Sequence, residues 1–229
     1  MMKYKVLLSV SLLLNIVLAY MCWHKSDTQD NSQSVVVPGQ PPLAFQMNVS
    51  DGDIVFLGES RMGACNWSLL LANDKCQTLA YNGNSLKSDI ERMKHLFKDV
   101  SPEKFILMYG EAELLGGMEI GEIAEQYEQL IRILKERFPA TEVVLVSVLP
   151  LRNPNDNNFN LTMSAKVKNL NIFLKSIASR YDYPYVNLYA DFVTDEGTLN
   201  PEYSLLDGFF LNRDAYIIAK DRLKEFLNN

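Results

Sequence analysis

Histidine and cysteine are both scarce in this chain, and this scarcity argues against a zinc site. The 229 residues include two histidines, His24 and His95, and three cysteines. Zinc sites draw on cysteine and histidine ligands at short spacing, and the chain has neither a Cys-x-x-Cys motif nor a pair of neighbouring histidines. The sequence therefore predicts no metal site, and we expect no cofactor.

Dense clusters of basic residues are also missing. The 22 lysines and arginines are outnumbered by 28 aspartates and glutamates, which gives a net charge of -6. Proteins that follow a phosphate backbone concentrate positive charge, often between aromatic residues, and no segment here has that pattern. We therefore expect no nucleic-acid partner.

The N-terminus carries a long apolar run. Two lysines precede residues 6–23, which are long enough to cross most of a bilayer as a helix at about 1.5 Å per residue. Residues 18–22 lack a small-x-small cleavage pattern, and Met21 fits poorly before a lipoprotein cysteine at Cys22. The sequence thus favours an uncleaved signal anchor at 1–25 over a cleaved signal peptide or a lipoprotein. Because the positive charges lie on the N-terminal side, the domain is expected outside the cytoplasm, in the periplasm or at the cell surface.

A polar and then valine- and proline-rich stretch follows the apolar run. Residues 26–45 can bury little apolar surface and are predicted to form an extended, flexible linker. Residues 46–229 have an ordinary length for one domain with a substantial core. The sequence therefore predicts one domain tethered to a membrane.

Two cysteines, Cys65 and Cys76, lie eleven residues apart within that domain. An extracytoplasmic location would permit a disulfide between them. Two buried free thiols are the alternative, because an unpaired cysteine behaves as a small apolar side chain. The sequence leaves both possibilities open.

Short apolar runs alternate with longer amphipathic stretches through the domain. The predicted strands are residues 53–57, 77–81, 104–109, 142–147 and 185–188. The predicted helices are residues 62–72, 85–98, 120–138, 162–180 and 213–227, and the asparagine-rich residues 153–160 are predicted to be a loop. This order is typical of a three-layer α/β/α, flavodoxin-like fold with a five-stranded parallel sheet.

Candidate site residues follow the predicted strands. Ligands of open parallel sheets bind at the carboxyl ends of the strands, an edge that we call the rim. The segments expected there are Ser60, Gly83 and residues 110–113, 150–160 and 207–212. A serine at a strand-to-helix turn is a nucleophile candidate, provided that a neighbouring base takes its proton.

These segments resemble, in order, the blocks of the SGNH (GDSL-like) hydrolases. Gly58-Glu59-Ser60 is similar to the family's Gly-Asp-Ser, Gly83 to the glycine of its second block, residues 108–113 to its Gly-x-Asn-Asp, and residues 207–210 to its Asp-Gly-x-His. The resemblance covers most of residues 53–227 and implies a serine-esterase fold. It also implies Ser60 as the nucleophile, Gly83 as a backbone oxyanion donor and Asp207 as the residue that orients the histidine.

Two positions depart from that family pattern. The asparagine position holds Ala112, and the histidine position holds Phe210. Loss of one oxyanion donor costs an enzyme about 10²- to 10³-fold in turnover. Loss of a triad member costs roughly 10⁴- to 10⁶-fold. Asp207 is thus expected to be a carboxylate without its usual partner.

A carboxylate is one conceivable replacement for the missing base. Glu59, Glu111 and Glu113 come close to Ser60 in the predicted fold, and burial can raise a carboxylate pKa enough for general-base chemistry. His95 is expected in the second helix, away from the rim. A rewired mechanism would therefore depend on one of the three glutamates.

Each site residue also has a structural interpretation. Ser60 would cap the helix that follows it, and Gly83 would allow a turn with positive φ. Asp207 would brace the turn at Gly208 or cap the last helix, and Glu113 would support its own loop. None of these roles requires catalysis.

Three functions are compatible with these residues. The favoured one is a membrane-anchored, non-catalytic domain that binds an acylated glycan, a lipid or a protein partner. The second is an esterase, acetylhydrolase or acyltransferase that acts through Ser60 with altered machinery. The third is a purely structural or assembly role.

Overall fold

The computed structural model describes residues 49–97 and 99–227. The predicted anchor at 1–25 and the predicted linker at 26–45 lie outside these residues, so both remain predictions. Within the described ranges no helix is both long enough and apolar enough to cross a bilayer.

One parallel sheet forms the centre of the domain. Its strands, counted over the described residues, are β1 (Ile54–Gly58), β2 (Cys76–Thr78), β3 (Lys104–Met108), β4 (Glu142–Val146) and β5 (Tyr185–Val186). Their order in the sheet is β2-β1-β3-β4-β5, which is the flavodoxin-like order. Every residue of β1 and β3 is buried, as expected for strands covered on both faces. The predicted fold class is confirmed.

Helices cover both faces of this sheet. They are α1 (Ser60–Gly63), α2 (Trp67–Leu71), α3 (Leu86–Met93), α4 (Glu111–Leu115), α5 (Ile120–Arg137), α6 (Asn157–Tyr181), α7 (Tyr189–Phe192) and α8 (Arg213–Lys224). Successive strand residues point to opposite faces. Val55 and Leu57 accordingly pack with α3, α5 and α6, whereas Ile54 and Phe56 pack with α1, α2 and α8. The result is the predicted three-layer arrangement.

The predicted helix at 62–72 is wrong as a single element, because it is divided into α1 and α2. Asn66 begins the second helix, where its side-chain oxygen accepts the N–H of Leu69 at 3.1 Å. Gly63 lets α1 lie against the chain after β2, since a Cβ there would come within 2.7 Å of the Ala80 carbonyl oxygen. The Asn66 cap and the close approach of Gly63 to the Ala80 backbone therefore divide the predicted helix in two, although its apolar pattern is continuous.

The predicted loop at 153–160 is wrong in its second half, because α6 begins there at Asn157. Asp156 caps this helix by accepting the N–H of Phe159 at 3.0 Å. Asparagine is a weak helix former, so its abundance hides the helix start in the sequence.

Cys65 and Cys76 are buried free thiols on the α1–α2 side of the sheet. Burial raises the pKa of Cys65 to about 12, and burial with nearby carboxylates raises that of Cys76 to about 11. Of the two possibilities that the sequence leaves open, the structure has the free thiols.

Candidate functional site

Ser60 is the first residue of α1, directly after the turn that ends β1. This turn leaves the side chain half-buried at the rim, and its hydroxyl donates to Oδ1 of Asn82 at 2.8 Å. An amide oxygen accepts a hydrogen bond but is not a base at neutral pH, so the contact orients the hydroxyl without activating it. Glu59 occupies the N-cap position of α1, so Ser60 is not the helix cap.

The residue after the serine, Arg61, is buried and joins several rim segments. Its guanidinium pairs with Glu111 of α4 and donates to the carbonyls of Leu149 at 3.1 Å and Pro150 at 2.8 Å. Tyr216 of α8 donates to the Arg61 carbonyl at 2.7 Å. The end of β1 is thus fixed to the chain after β3, to the chain after β4, and to the last helix.

Gly83 lies in the turn between β2 and α3, where its φ is +85°. A Cβ at this position would meet nothing within 4 Å, so backbone conformation, not space, favours glycine. Below it, the buried Asn84 donates to the Gly58 carbonyl at 2.8 Å and to the Asp89 carboxylate at 2.7 Å. These bonds hold the Gly83 turn beside the end of β1.

Asp207 directs one carboxylate oxygen to its own loop. Its Oδ1 accepts the N–H of Phe209 at 2.8 Å and that of Phe210 at 3.1 Å. The bonds brace a turn in which Gly208 has a φ of +74°. Asn212, and not Asp207, caps α8 by accepting the N–H of Ala215 at 3.1 Å.

The position at which the resemblance implies histidine is apolar. Phe210 and Phe209 are half-buried, and their rings meet edge to face with centroids 5.0 Å apart. The Phe209 ring also lies 5.4 Å from the guanidinium carbon of Arg61. We call Ser60, Asn82, Gly83, Phe209 and Phe210 together the rim site.

The three candidate bases are bonded elsewhere. Glu59 accepts the N–H groups of Glu111 at 2.9 Å and Ala112 at 3.0 Å, so it caps α4. Glu111 pairs with Arg61, and Glu113 accepts the N–H of Leu86 at 2.8 Å, which supports the start of α3. Throughout residues 49–97 and 99–227, no carboxylate or histidine hydrogen-bonds to the serine hydroxyl.

The segment after β3 forms the short helix α4, with Glu111 and Glu113 both buried. His95 lies beyond the end of α3 and is exposed. The prediction that the second helix includes His95 is wrong, because α3 ends two residues earlier, and the sequence also missed the helical turn that buries both glutamates.

Glu59 holds its proton more tightly than an ordinary carboxyl group. Burial, followed by the negative charge of Glu111 and a hydrogen bond with Glu113, raises the pKa of Glu59 well above its ordinary value of 4.5. The second carboxylate oxygen of Glu113 is buried and accepts no hydrogen bond among the described residues. A protonated Glu59 avoids placing a further negative charge beside Glu111 and Glu113.

The raised pKa predicts a pH-dependent stability. Above pH 4.5 the Glu59 side chain is mostly ionised in the unfolded chain, whereas in the folded chain it stays protonated to a higher pH. Between these two pH values, folding takes up a proton. The free energy of unfolding therefore falls as the pH rises, by up to about 1.4 kcal/mol per pH unit for this one group. We expect Glu59→Gln to reduce this slope in urea titrations at several pH values, and the exposed Glu125→Gln to leave it unchanged. Equal slopes for both variants would contradict the raised pKa of Glu59.

Two residues of the site were missed in the sequence. Asn82 lies in a turn after a strand, so its side chain could have been expected at the rim. Arg61 gave no signal, because a buried arginine cannot be distinguished from an exposed one by its place in an apolar pattern.

The fold and the strand-end serine define an α/β domain of the serine-hydrolase type. The chain belongs to the GDSL-like lipase/acylhydrolase family, whose sequence model matches residues 58–217. No functionally curated protein matches it in sequence.

Several solved structures share the fold. A proposed platelet activating factor from Streptococcus pneumoniae is 22% identical, with a TM-score of 0.67 over 80% of this chain and 86% of that one. A proposed acylhydrolase from Bacteroides fragilis is 19% identical, with a TM-score of 0.66 over 79% and 91%. A GDSL-like lipase from Bacteroides thetaiotaomicron is 21% identical, with a TM-score of 0.66 over 76% and 87%. At these identities the likeness establishes the fold alone.

Proposed function

We propose that this chain is a membrane-anchored, extracytoplasmic member of the family that binds an acylated glycan, a lipid or a protein partner without conventional Ser-His-Asp catalysis. One observation carries the proposal. The Ser60 hydroxyl donates to the side-chain amide of Asn82 at 2.8 Å, where a catalytic serine would need a base. The occupied Asp207 oxygen and the apolar Phe210 position support the same conclusion.

The chemistry of the rim site suits an acyl group. Asn82 retains two amide hydrogens and Ser60 retains its oxygen lone pairs, so the pair can bind a carbonyl and a hydroxyl together. Phe209 and Phe210 provide an apolar wall for the attached chain. A ligand that carries both a carbonyl and an apolar chain would use every part of the site.

Ligand binding is tested by thermal shift on the full-length chain in detergent. We expect either an acetylated xylo-oligosaccharide or a short-chain phosphatidylcholine to raise the Tm, because a ligand at 100 times its Kd stabilises the folded state by about 2.7 kcal/mol. The shift should disappear in Asn82→Ala and persist in Asn169→Ala, an exposed asparagine of α6. No shift with either ligand, or an equal shift in the two variants, would contradict binding at the rim site.

An esterase or acyltransferase with altered machinery is the second candidate. It is favoured by the half-exposed Ser60 at the strand-to-helix turn and by the adjacent Asn82 amide, which could donate to an oxyanion in place of the side chain that Ala112 lacks. This function still requires a base for Ser60, and a substrate that brings its own basic group would supply one.

A further inference from the structure

The loop that carries Asp207 also presents two leucines to solvent. Leu206 is fully exposed and Leu205 is 38% exposed. Most of the large apolar side chains in the described part of the chain are buried in one of two core clusters. Leu206 is the most exposed of the large apolar side chains that the structure describes, although Ile172 and Phe173 of α6 are also exposed, at 62% and 50%.

This exposure does not come from a loose loop. Ser204 and Leu211 form an antiparallel bridge, and the N–H of Leu205 donates to the Phe210 carbonyl at 2.8 Å. The N–H of Gly208 donates to the Leu205 carbonyl at 3.0 Å, and a Cβ on Gly208 would come within 2.9 Å of the Pro154 ring. The segment is a short hairpin packed against the chain after β4, with Leu205 and Leu206 at its tip.

The charges around this tip are compatible with a lipid surface. The Asp207 carboxylate bonds to backbone N–H groups of its own loop. Arg152 is half-buried, Arg213 is exposed, and neither has an ion-pair partner among the described residues. Glu202 and Asp214 are exposed nearby, so the local charge is mixed. Insertion of the leucines should consequently depend little on anionic lipid.

The chain before the domain is long enough to let the tip reach a bilayer. Residues 26–45 can extend to about 66 Å at roughly 3.3 Å per residue. A globule of this size is about 40 Å across. The predicted linker is therefore long enough to span the domain.

We propose that the Leu205–Leu206 tip inserts into the acyl-chain layer of the membrane that holds the anchor. The inference rests on the membrane anchoring in the proposed function, and it narrows the proposed ligands to membrane lipids. Phe209 and Phe210 follow the tip in the same loop, so an acyl chain held at the tip would lie beside the apolar part of the rim site.

The test uses the full-length chain in phosphatidylcholine liposomes, with Cys22→Ser as the background. Leu206→Cys carries an environment-sensitive NBD label. Ile172→Cys carries the same label as the matched control, because Ile172 is also an exposed apolar residue, at 62%. It lies about 22 Å along the helix axis from Asn157, the first residue of α6. Cys65 and Cys76 are buried, with raised pKa values, and should not be labelled. We expect a blue-shifted emission at 206, quenched several-fold by lipids with spin labels on their acyl chains, and an aqueous emission at 172.

Two outcomes would overturn the insertion. One is an aqueous emission at 206 from protein that floats with the liposomes. The other is a blue shift that spin-labelled lipids do not quench and that grows with protein density, which would assign the tip to a second copy of the chain.

Leu206→Asp separates this inference from the proposed function: it should leave the thermal shift by a soluble acetylated oligosaccharide unchanged. If that shift is missing in every variant while the label at 206 is still quenched, only the ligand-binding proposal fails.

Discussion

The double variant Phe210→His, Ala112→Asn is expected to hydrolyse a simple aryl acetate at least about 10³-fold faster than the wild-type chain. Histidine would supply the base that Ser60 lacks, and asparagine would supply an oxyanion donor. Asp207 can still orient the new imidazole, because backbone N–H groups occupy only its Oδ1. The rate is measured on full-length protein in detergent, by release of the phenol.

The gain must come from the serine. Ser60→Ala in the same background should return hydrolysis to the wild-type level, and each single substitution should give less than the pair. A folded double variant with no increase would show that the rim site has diverged beyond these two positions. An increase that survives Ser60→Ala would show that the new histidine acts by itself.

Replacement of the buried Arg61 is expected to have the largest effect on stability. Arg61→Met leaves the Glu111 carboxylate buried without its cation and removes the donors to the Leu149 and Pro150 carbonyls. Breaking a buried ion pair from one side typically costs about 3–5 kcal/mol. Chemical denaturation can be followed by the fluorescence of Trp67, which is buried and stacked on Phe56 with ring centroids 5.0 Å apart.

Arg132→Met is the matched control for that experiment. Arg132 is 63% exposed and lies 3.9 Å from Glu128, so its loss should change the free energy of unfolding by less than about 1 kcal/mol. Adding Glu111→Met to Arg61→Met should recover part of the loss, because the unpaired charge is then removed. Similar losses for Arg61→Met and Arg132→Met would contradict the structural role of the buried pair.

The strands were predictable because their signal is local. A strand of a covered parallel sheet is a short apolar run, and β1, β3 and β4 each begin within one residue of their predicted start. Helix starts were less predictable. Asn66 and Asp156 cap helices through hydrogen bonds to N–H groups three residues ahead, and such caps resemble ordinary loop residues in a sequence.

The site was predictable in position but not in its contacts. The sheet topology brings Ser60 to the rim, as expected from its place after the first strand. Its partner Asn82 lies 22 residues away, and Arg61 contacts residues 50 and 88 positions further along the chain. A periodic pattern carries no information about such pairs, because they depend on how loops from different strands meet.

Fluorophosphonate labelling of the full-length wild-type chain tests the central claim most directly. The reagent modifies an activated serine, and intact-mass analysis reports the adduct. Because no base among residues 49–97 and 99–227 hydrogen-bonds to Ser60, we expect no adduct under conditions that label the Phe210→His, Ala112→Asn variant. An adduct on the wild-type chain that disappears in Ser60→Ala would contradict the proposal that this domain binds its ligand without serine catalysis.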